Sequence, residues 1–342
     1  MPTMSQDGVK VLPMRSRSAM TLEEVQAAMA DRAPSFDALR GGWASMDNLA
    51  SNLGVIGGVP PQSAPVLEEA TSELPRMLKT RFYYWDAPPP GMLKLPDYNP
   101  HATRRLAAID MTATEIGDGQ LGLLFSTRTR QTLNHRDGIV ASLEKILQSQ
   151  DATIRVDRTT SPMELQDTDI FLWLTVQVRD NPQIAPDLRL DHVSGISGRD
   201  ASSRTADLRA GVDFTRANFL TAVAEADTLG PIDIAFIQDV EGERRSIQVK
   251  LHLDGGFEIR KNEIYFPTVL DGEDLVHSAT LSLAYQIVPR LNELYIADAE
   301  KWAERRVEVI ESAMVDLQER YASARRALQE RMSRSPERPD EA

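Results

Sequence analysis

The residues of this chain whose types and order most suggest chemistry are an acid and a lysine on two neighbouring predicted strands. Asp233 lies in one apolar run, and Gln248 and Lys250 lie in a later one. The later run alternates, because every second residue from Ile247 to Leu253 is apolar and the residues between are polar. Such alternation is typical of an antiparallel sheet with one face on the core and the other in water. The polar residues therefore indicate either a half-exposed sheet face or a catalytic site.

An acid followed by Gln, any residue and Lys resembles the core of the PD-(D/E)xK nucleases, over residues 233–250 only. The resemblance implies that Asp233 binds a divalent metal, Mg²⁺ or Mn²⁺, and that Gln248 is a neutral substitute for an acid of the family. Lys250 would activate water or stabilise the charge on a phosphate. Glu225 or Glu241 would supply a further acid. The chain departs from the family where a Gly-Gly turn at 255–256 replaces the usual helix.

Composition disfavours several classes of function. The formal net charge of -13 repels nucleic-acid backbones and anionic lipids, so we do not expect a nucleic-acid partner. The absence of cysteine removes disulfides, thiolate nucleophiles and cysteine-bound zinc. There is no HExxH, GxGxxG or Walker lysine motif, so we expect no cofactor. Without a long apolar run or a secretory signal, we expect a cytoplasmic protein that does not span a membrane.

The middle of the chain contains a repeated pattern that predicts a duplicated fold. Residues 138–157 and 218–237 align without a gap, each as the end of a helix that leads into a buried strand. The apolar positions of two later segments, 170–176 and 247–253, match as well, and we interpret both as strands. A hairpin is expected at 106–128. The repeat predicts an α+β fold of duplicated hairpin-helix-strand-strand units that form antiparallel sheet.

Turn signals and proline content divide the rest of the chain. Thr21 and Glu24 form a capping-box pattern that starts a helix, and further helices are expected at 36–53 and 64–80. Prolines between 86 and 100 indicate a connector. The predicted organisation is a disordered segment at 1–20, a helical N-terminal region at 21–85, a Pro-rich connector at 86–101, a body at 102–271 with units at 102–180 and 186–271, C-terminal helices at 272–332, and a disordered tail at 333–342.

The C-terminal helix carries a heptad-like apolar seam, after a kink expected at Pro289. Apolar residues recur in alternating steps of four and three, which is the spacing of a coiled coil. The seam comprises Ala303, Val307, Ile310, Met314, Leu317, Tyr321, Ala324 and Leu328. Its larger members, Val307, Ile310, Met314, Leu317, Tyr321 and Leu328, are the candidate partner-binding residues.

From the sequence alone, the seam can pack either on a partner or on its own domain. An apolar stripe on a terminal helix can pack on its own domain instead of on a partner, and the flanking charges fit neither parallel nor antiparallel pairing fully. With no complete catalytic set elsewhere, the seam favours a non-enzymatic scaffold or assembly component. It would bind a protein partner or a second copy of the chain as an oligomer. A metal-dependent nuclease, or a degenerate relative of one, is the alternative.

Overall fold

The structure is a computed structural model that describes residues 4, 7–44, 60–86, 99, 101, 104–200, 205–208, 217–240, 242–267 and 275–333. The strands are β1 (Gly8–Arg17), β2 (Val66–Glu68), β3 (Met77–Asp86), β4 (Arg105–Glu115), β5 (Gln120–Phe125), β6 (Val156–Asp157), β7 (Gln183–Ala185), β8 (Leu188–Asp200), β9 (Thr205–Leu208), β10 (Ala226–Val240), β11 (Glu243–Leu251) and β12 (Phe257–Tyr265). The helices are α1 (Leu22–Ala30), α2 (Arg130–Leu133), α3 (Ile139–Leu147), α4 (Asp169–Asp180), α5 (Ala217–Glu225), α6 (Leu275–Ser282) and α7 (Val288–Ser333).

The chain is a mixed α and β protein that forms two compact units. The first contains Met1–Leu165 and Gln238–Leu291, and the second contains Gln166–Ile237 and Asn292–Ala342. This grouping differs from the predicted units at 102–180 and 186–271. Antiparallel sheet and a long C-terminal helix were predicted and are confirmed. Within the described ranges, no helix combines the length and the apolar character needed to cross a bilayer.

The first unit is built on a sheet in the order β2-β3-β4-β5-β1-β12-β11. Helices α1 and α3 cover one face, and their apolar residues share a buried cluster with those of the strands. Leu22, Phe82, Phe125 and Leu143 all lie in this cluster. The predicted hairpin at 106–128 is confirmed as β4 and β5, and the predicted capping box at the start of α1 is confirmed by both of its hydrogen bonds.

The prediction of an unstructured segment at residues 1–20 is wrong, because β1 occupies Gly8–Arg17 in the interior of this sheet. It pairs with β12 through Gly8 to Val11 and with β5 through Leu12 to Arg17. Val9, Val11 and Met14 are buried while Lys10 and Arg17 are exposed. The strand has a clear inside and outside, but its partners β5, β12 and the short β6 all lie more than a hundred residues away in sequence.

The helical N-terminal region predicted at 21–85 is also wrong beyond α1. The expected helix at 64–80 is replaced by β2 and β3, and β3 is rich in aromatic residues, which favour strands. The expected helix at 36–53 begins instead as a turn closed by a bridge between Ser35 and Arg40, and its residues 45–53 lie outside the described part. Of the connector predicted at 86–101, only Asp86, Asn99 and His101 are described.

The second unit has β8 between β10 and β7, with β9 also paired to β8. The prediction of a strand at residues 170–178 is wrong, because these residues form the main helix of the unit, α4. All seven residues of the run Ile170–Val176 are buried and all but Thr175 are apolar, and such a run does not distinguish a buried strand from a buried helix. The matching run at 247–253 does contain a strand, β11, so the duplication is not confirmed.

Helix α4 packs closely on β10 at Gly230. Gly230, at φ +104°, lies where a Cβ atom would come within 2.3 Å of the Phe171 ring, so this position requires glycine. The buried strand predicted at the end of the repeat 138–157 is shorter than expected, because only Val156 and Asp157 form it, as β6.

The C-terminal segment is helical from Leu275 to Ser333, in agreement with the prediction, with one irregular turn. Leu283–Ile287 form a π-helical turn immediately before Pro289, where the kink was predicted. Proline lacks the N–H for a helical hydrogen bond, and its ring crowds the carbonyl four residues earlier, so a wider turn before it relieves the clash. The tail predicted to be disordered lies outside the described residues after Ser333.

Candidate functional site

Within the second unit, the part of α7 that follows Leu291 is held by hydrogen bonds and ion pairs to α4 and to Asp167, which lies just before α4. The pairs are Tyr295 Oη to Asp167 Oδ1 at 2.8 Å, Trp173 Nε1 to Asp298 Oδ2 at 2.9 Å, Arg305 Nη2 to Asp180 Oδ2 at 2.5 Å, and Arg306 Nε to Asp169 Oδ2 at 2.5 Å. Burial, helped by the acceptor Asp167, raises the pKa of Tyr295, so its hydroxyl remains a donor at neutral pH. These contacts hold this part of α7 against α4 and the residues just before it.

One face of α7 packs on the helices of its own unit. Trp302 and Ala313 are buried on this face, and Val309 lies between them. Val309 and Ala313 line a cavity of about 250 Å³ together with the apolar face of α5. The α5 residues in this cavity are Phe219, Leu220 and Val223. This face is the part of α7 that stabilises the unit.

The predicted seam lies on a different face of α7 and is largely exposed. The exposed fraction is 51% for Val307, 44% for Met314, 64% for Tyr321 and 58% for Leu328. Ile310 and Leu317 are half-buried. The candidate partner-binding residues therefore line up on an apolar surface that the described residues of this chain leave largely uncovered.

Helix geometry explains why the two faces do not coincide. At 3.6 residues per turn, Trp302, Val309 and Ala313 fall within a narrow sector of the helix. The seam from Val307 to Leu328 is centred about a quarter of a turn away from that sector. Packing of α7 on its own unit thus leaves the seam facing outward.

The distal part of α7 lacks a covered face in the described structure. Every residue from Gln318 to Ser333 is exposed. An isolated helix of this length is marginal in water, since most helical stability comes from packing an apolar face. The same segment carries the seam residues Tyr321, Ala324 and Leu328, which are suited to such packing.

The three residues of the nuclease hypothesis fall in two different units. Asp233 is in β10 within the second unit, whereas Gln248 and Lys250 are in β11 within the first. Ile247, Val249 and Leu251 are buried, and Gln248 and Lys250 are half-buried, so the predicted alternation of β11 is confirmed. Of the further acids, Glu241 lies outside the described residues, and the side chain of Glu225 is not described.

Lys250 lies in a row of charged side chains across three strands of the first unit. It is directly opposite Glu258 on β12, and Glu258 is directly opposite Lys10 on β1. Lys10 Nζ lies 2.8 Å from Glu258 Oε2, and His252 Nε2 lies 3.4 Å from Glu258 Oε1. Burial opposes ionisation of Glu258, but Lys10, His252 and Lys250 together lower its pKa. The residue opposite Lys250 on β12 is thus a carboxylate that is already paired with Lys10.

This arrangement does not form a metal site. Within the described ranges, no group of three or more His, Asp or Glu side chains is placed to hold a metal ion. The described side chains therefore do not fit the Mg²⁺ or Mn²⁺ site that the resemblance implies, and we derive no metal-dependent step. Sequence reasoning missed Glu258. The register of the hairpin through Gly255 was the signal that could have placed it opposite Lys250.

No protein-family model and no curated protein matches the chain. Its function must therefore be inferred from its own residues.

Proposed function

We propose that the protein is a non-enzymatic interaction or assembly component that binds a partner helix through the seam on α7. The observation that carries this proposal is that the seam remains exposed, although another face of the same helix already packs on its own unit. An apolar stripe with coiled-coil spacing is the surface that a second helix covers by knobs-into-holes packing.

The energetic argument is based on the exposed side chains. Fully burying a Val, Leu, Ile or Met side chain contributes about 1.5–3 kcal/mol. Val307, Met314 and Leu328 are each at least 44% exposed, so a partner helix would gain a substantial part of this free energy at each of these positions. The alternative, that the stripe packs on its own domain, is disfavoured because Trp302 and Ala313 already occupy the packing face.

A pair of matched double variants tests the proposal. Ile310→Asp with Leu317→Asp places two charges in the seam. Val315→Asp with Ala322→Asp places two charges at the same spacing on the side of α7 away from both the seam and the packed face. The two variants and the unmodified chain are examined separately. Light scattering measures self-association, and affinity capture from the source lysate detects other partners.

We expect the seam variant to lose the assemblies of the unmodified chain while the control variant keeps them. Both variants should retain the far-ultraviolet circular dichroism and cooperative thermal unfolding of the unmodified chain, because neither disturbs Trp302 or Ala313. If the seam variant keeps every assembly of the unmodified chain, the proposed function is wrong. The same conclusion follows if the unmodified chain forms none.

A further inference from the structure

We propose that the occupant of the seam is α7 of a second copy of this chain, paired antiparallel with a two-fold axis that crosses the seam at the level between Val315 and Asp316 along the helix. This inference rests on the proposed function and adds the identity and direction of the partner helix. Two independent properties of the seam support it: the order of side-chain sizes along it, and the distribution of charge around it.

The sizes of the seam residues are complementary when the helix is reversed. In one antiparallel register, every seam residue of one copy meets a seam residue of the other. The layers are Ala303 on Leu328, Val307 on Ala324, Ile310 on Tyr321, and Met314 on Leu317. Three of the four layers pair a smaller side chain with a larger one, so their volumes are more even, as close packing requires.

Parallel pairing would place each residue on its own copy. The Ala303 and Ala324 layers would then be under-filled, and the Tyr321 layer would be crowded. Cavities and overpacking both destabilise a core. The order of sizes therefore favours the antiparallel dimer.

Charge is also arranged to favour the reversed helix. Residues 304–316 contain four carboxylates and two arginines, whereas residues 319–331 contain two carboxylates and four arginines. Both arginines of the first set, Arg305 and Arg306, are already ion-paired with Asp180 and Asp169. The acidic character of the first set is thus stronger at its surface than the composition suggests.

Antiparallel pairing places the acidic stretch of each helix beside the basic stretch of the other. In the register above, Glu304 flanks Arg325 and Glu311 flanks Gln318 along one edge of the seam. On the other edge, Arg306 flanks Ala327 and Ala313 flanks Arg320, so no two like charges meet. In a parallel pair, Arg320 would face Arg325.

The absence of native cysteine permits a direct test of direction. Two single variants of the full chain are prepared, Ala303→Cys and Leu328→Cys, and each is oxidised alone and as an equimolar mixture. The two positions lie about 38 Å apart along one helix at a rise of 1.5 Å per residue. A disulfide needs Cα atoms within about 7 Å, so only the correct pairing can form it. Sedimentation equilibrium of the unmodified chain gives its mass in solution.

We expect the unmodified chain to be a dimer and the Ile310→Asp/Leu317→Asp variant to be a monomer. The cysteine variants should give cross-linked dimer in the mixture and little from either variant alone. Cross-linking of Leu328→Cys alone would overturn the antiparallel direction. A monomeric unmodified chain whose seam still captures another protein would overturn self-association but leave the proposed function intact. A monomer without any seam-dependent partner would overturn both.

Discussion

Arg81 and Asp110 form a two-point ion pair between directly opposite residues of β3 and β4. Arg81 Nε donates to Asp110 Oδ1 at 2.6 Å, and Nη2 donates to Oδ2 at 2.9 Å. The Arg81 side chain is only 1% exposed, and its Nη1 also donates to the carbonyl of Pro61 at 2.8 Å. The pair lies on the face of the sheet opposite the apolar cluster that contains Phe82. It thus places a permanent charge inside the first unit.

Asp110→Asn should lower the free energy of unfolding by about 3 kcal/mol, because removal of one partner leaves a buried guanidinium without its counter-ion. This value is at the low end for a buried pair, since Asp110 is 24% exposed. Urea denaturation of the full chain measures the effect. The double change Arg81→Met with Asp110→Leu should recover much of the loss, because it removes both charges.

The pair between Arg105 and Asp86 provides a matched control on the same two strands. Arg105 Nη2 lies 3.0 Å from Asp86 Oδ2, but the Arg105 side chain is 65% exposed. Asp86→Asn should change the free energy of unfolding by less than about 1 kcal/mol, since exposed pairs contribute little. Equal losses from Asp110→Asn and Asp86→Asn would contradict the argument that burial determines the cost.

Reversal of charge at the edge of the seam should change self-association. Glu304→Arg or Arg325→Glu alone should weaken the dimer several-fold, because each places like charges together at both symmetry-related contacts along that edge. The double reversal should restore association close to that of the unmodified chain. Sedimentation equilibrium at low ionic strength measures all three, and added salt should reduce the differences. Equal weakening by the single and double reversals would argue against this register.

The stability of the first unit should fall in acid partly because of His277 on α6. Burial, together with the charges of Lys79 and Arg81, lowers the pKa of His277 to about 3. The unfolded chain, with an ordinary pKa of 6.5, therefore binds a proton that the folded chain does not. The stabilising contribution of neutral His277 is full above pH 6.5 and is lost as the pH falls towards 3.

His277→Gln should consequently show a smaller decrease in melting temperature between pH 7 and pH 4 than the unmodified chain. Gln keeps a polar side chain beside Asp110 and Thr280 but cannot be protonated. His135→Gln is a suitable control, because His135 is exposed, and it should keep the original pH profile. Parallel profiles for all three proteins would show that His277 does not contribute to acid sensitivity.

The nuclease alternative can be tested at Lys250. We expect the purified chain to show no cleavage of duplex, single-stranded or branched DNA with Mg²⁺ or Mn²⁺, because the described side chains supply no metal-binding set. Metal-dependent cleavage that Lys250→Ala abolishes, without a change in melting temperature, would support the alternative instead. Ser246→Ala, on the same face of β11, is the matched control for the substitution.

Sequence reasoning succeeded where structure follows from local patterns. The capping box of Thr21 and Glu24, the hairpin of β4 and β5, and the alternation of β11 all depend on neighbours within a few residues. The long helix α7 was predicted for the same reason, because its helical repeat is a local property, whereas the seam on it as a binding surface stays a prediction. Its exposure was not predictable, since that depends on which other face of α7 the second unit covers.

The errors arose where distant partners determine the structure. β1 forms because β5 and β12 are available on both sides of it, and neither partner is visible in residues 1–20. The run Ile170–Val176 could be read as a strand because all of its residues except Thr175 are apolar, and only its burial among the surrounding elements makes it a helix. The pairing of Glu258 with Lys10 and His252 likewise requires three strands to be placed side by side.

The exposed end of α7 has one further consequence, for amide hydrogen exchange. Residues from Gln318 to Ser333 pack on nothing in the described part of their own unit, so their helical hydrogen bonds can open without unfolding that unit. Exchange in this segment should therefore become slower as protein concentration rises, while exchange in α4 stays constant. The exchange rate of the amides in the last turns of α7 thus measures association without any label.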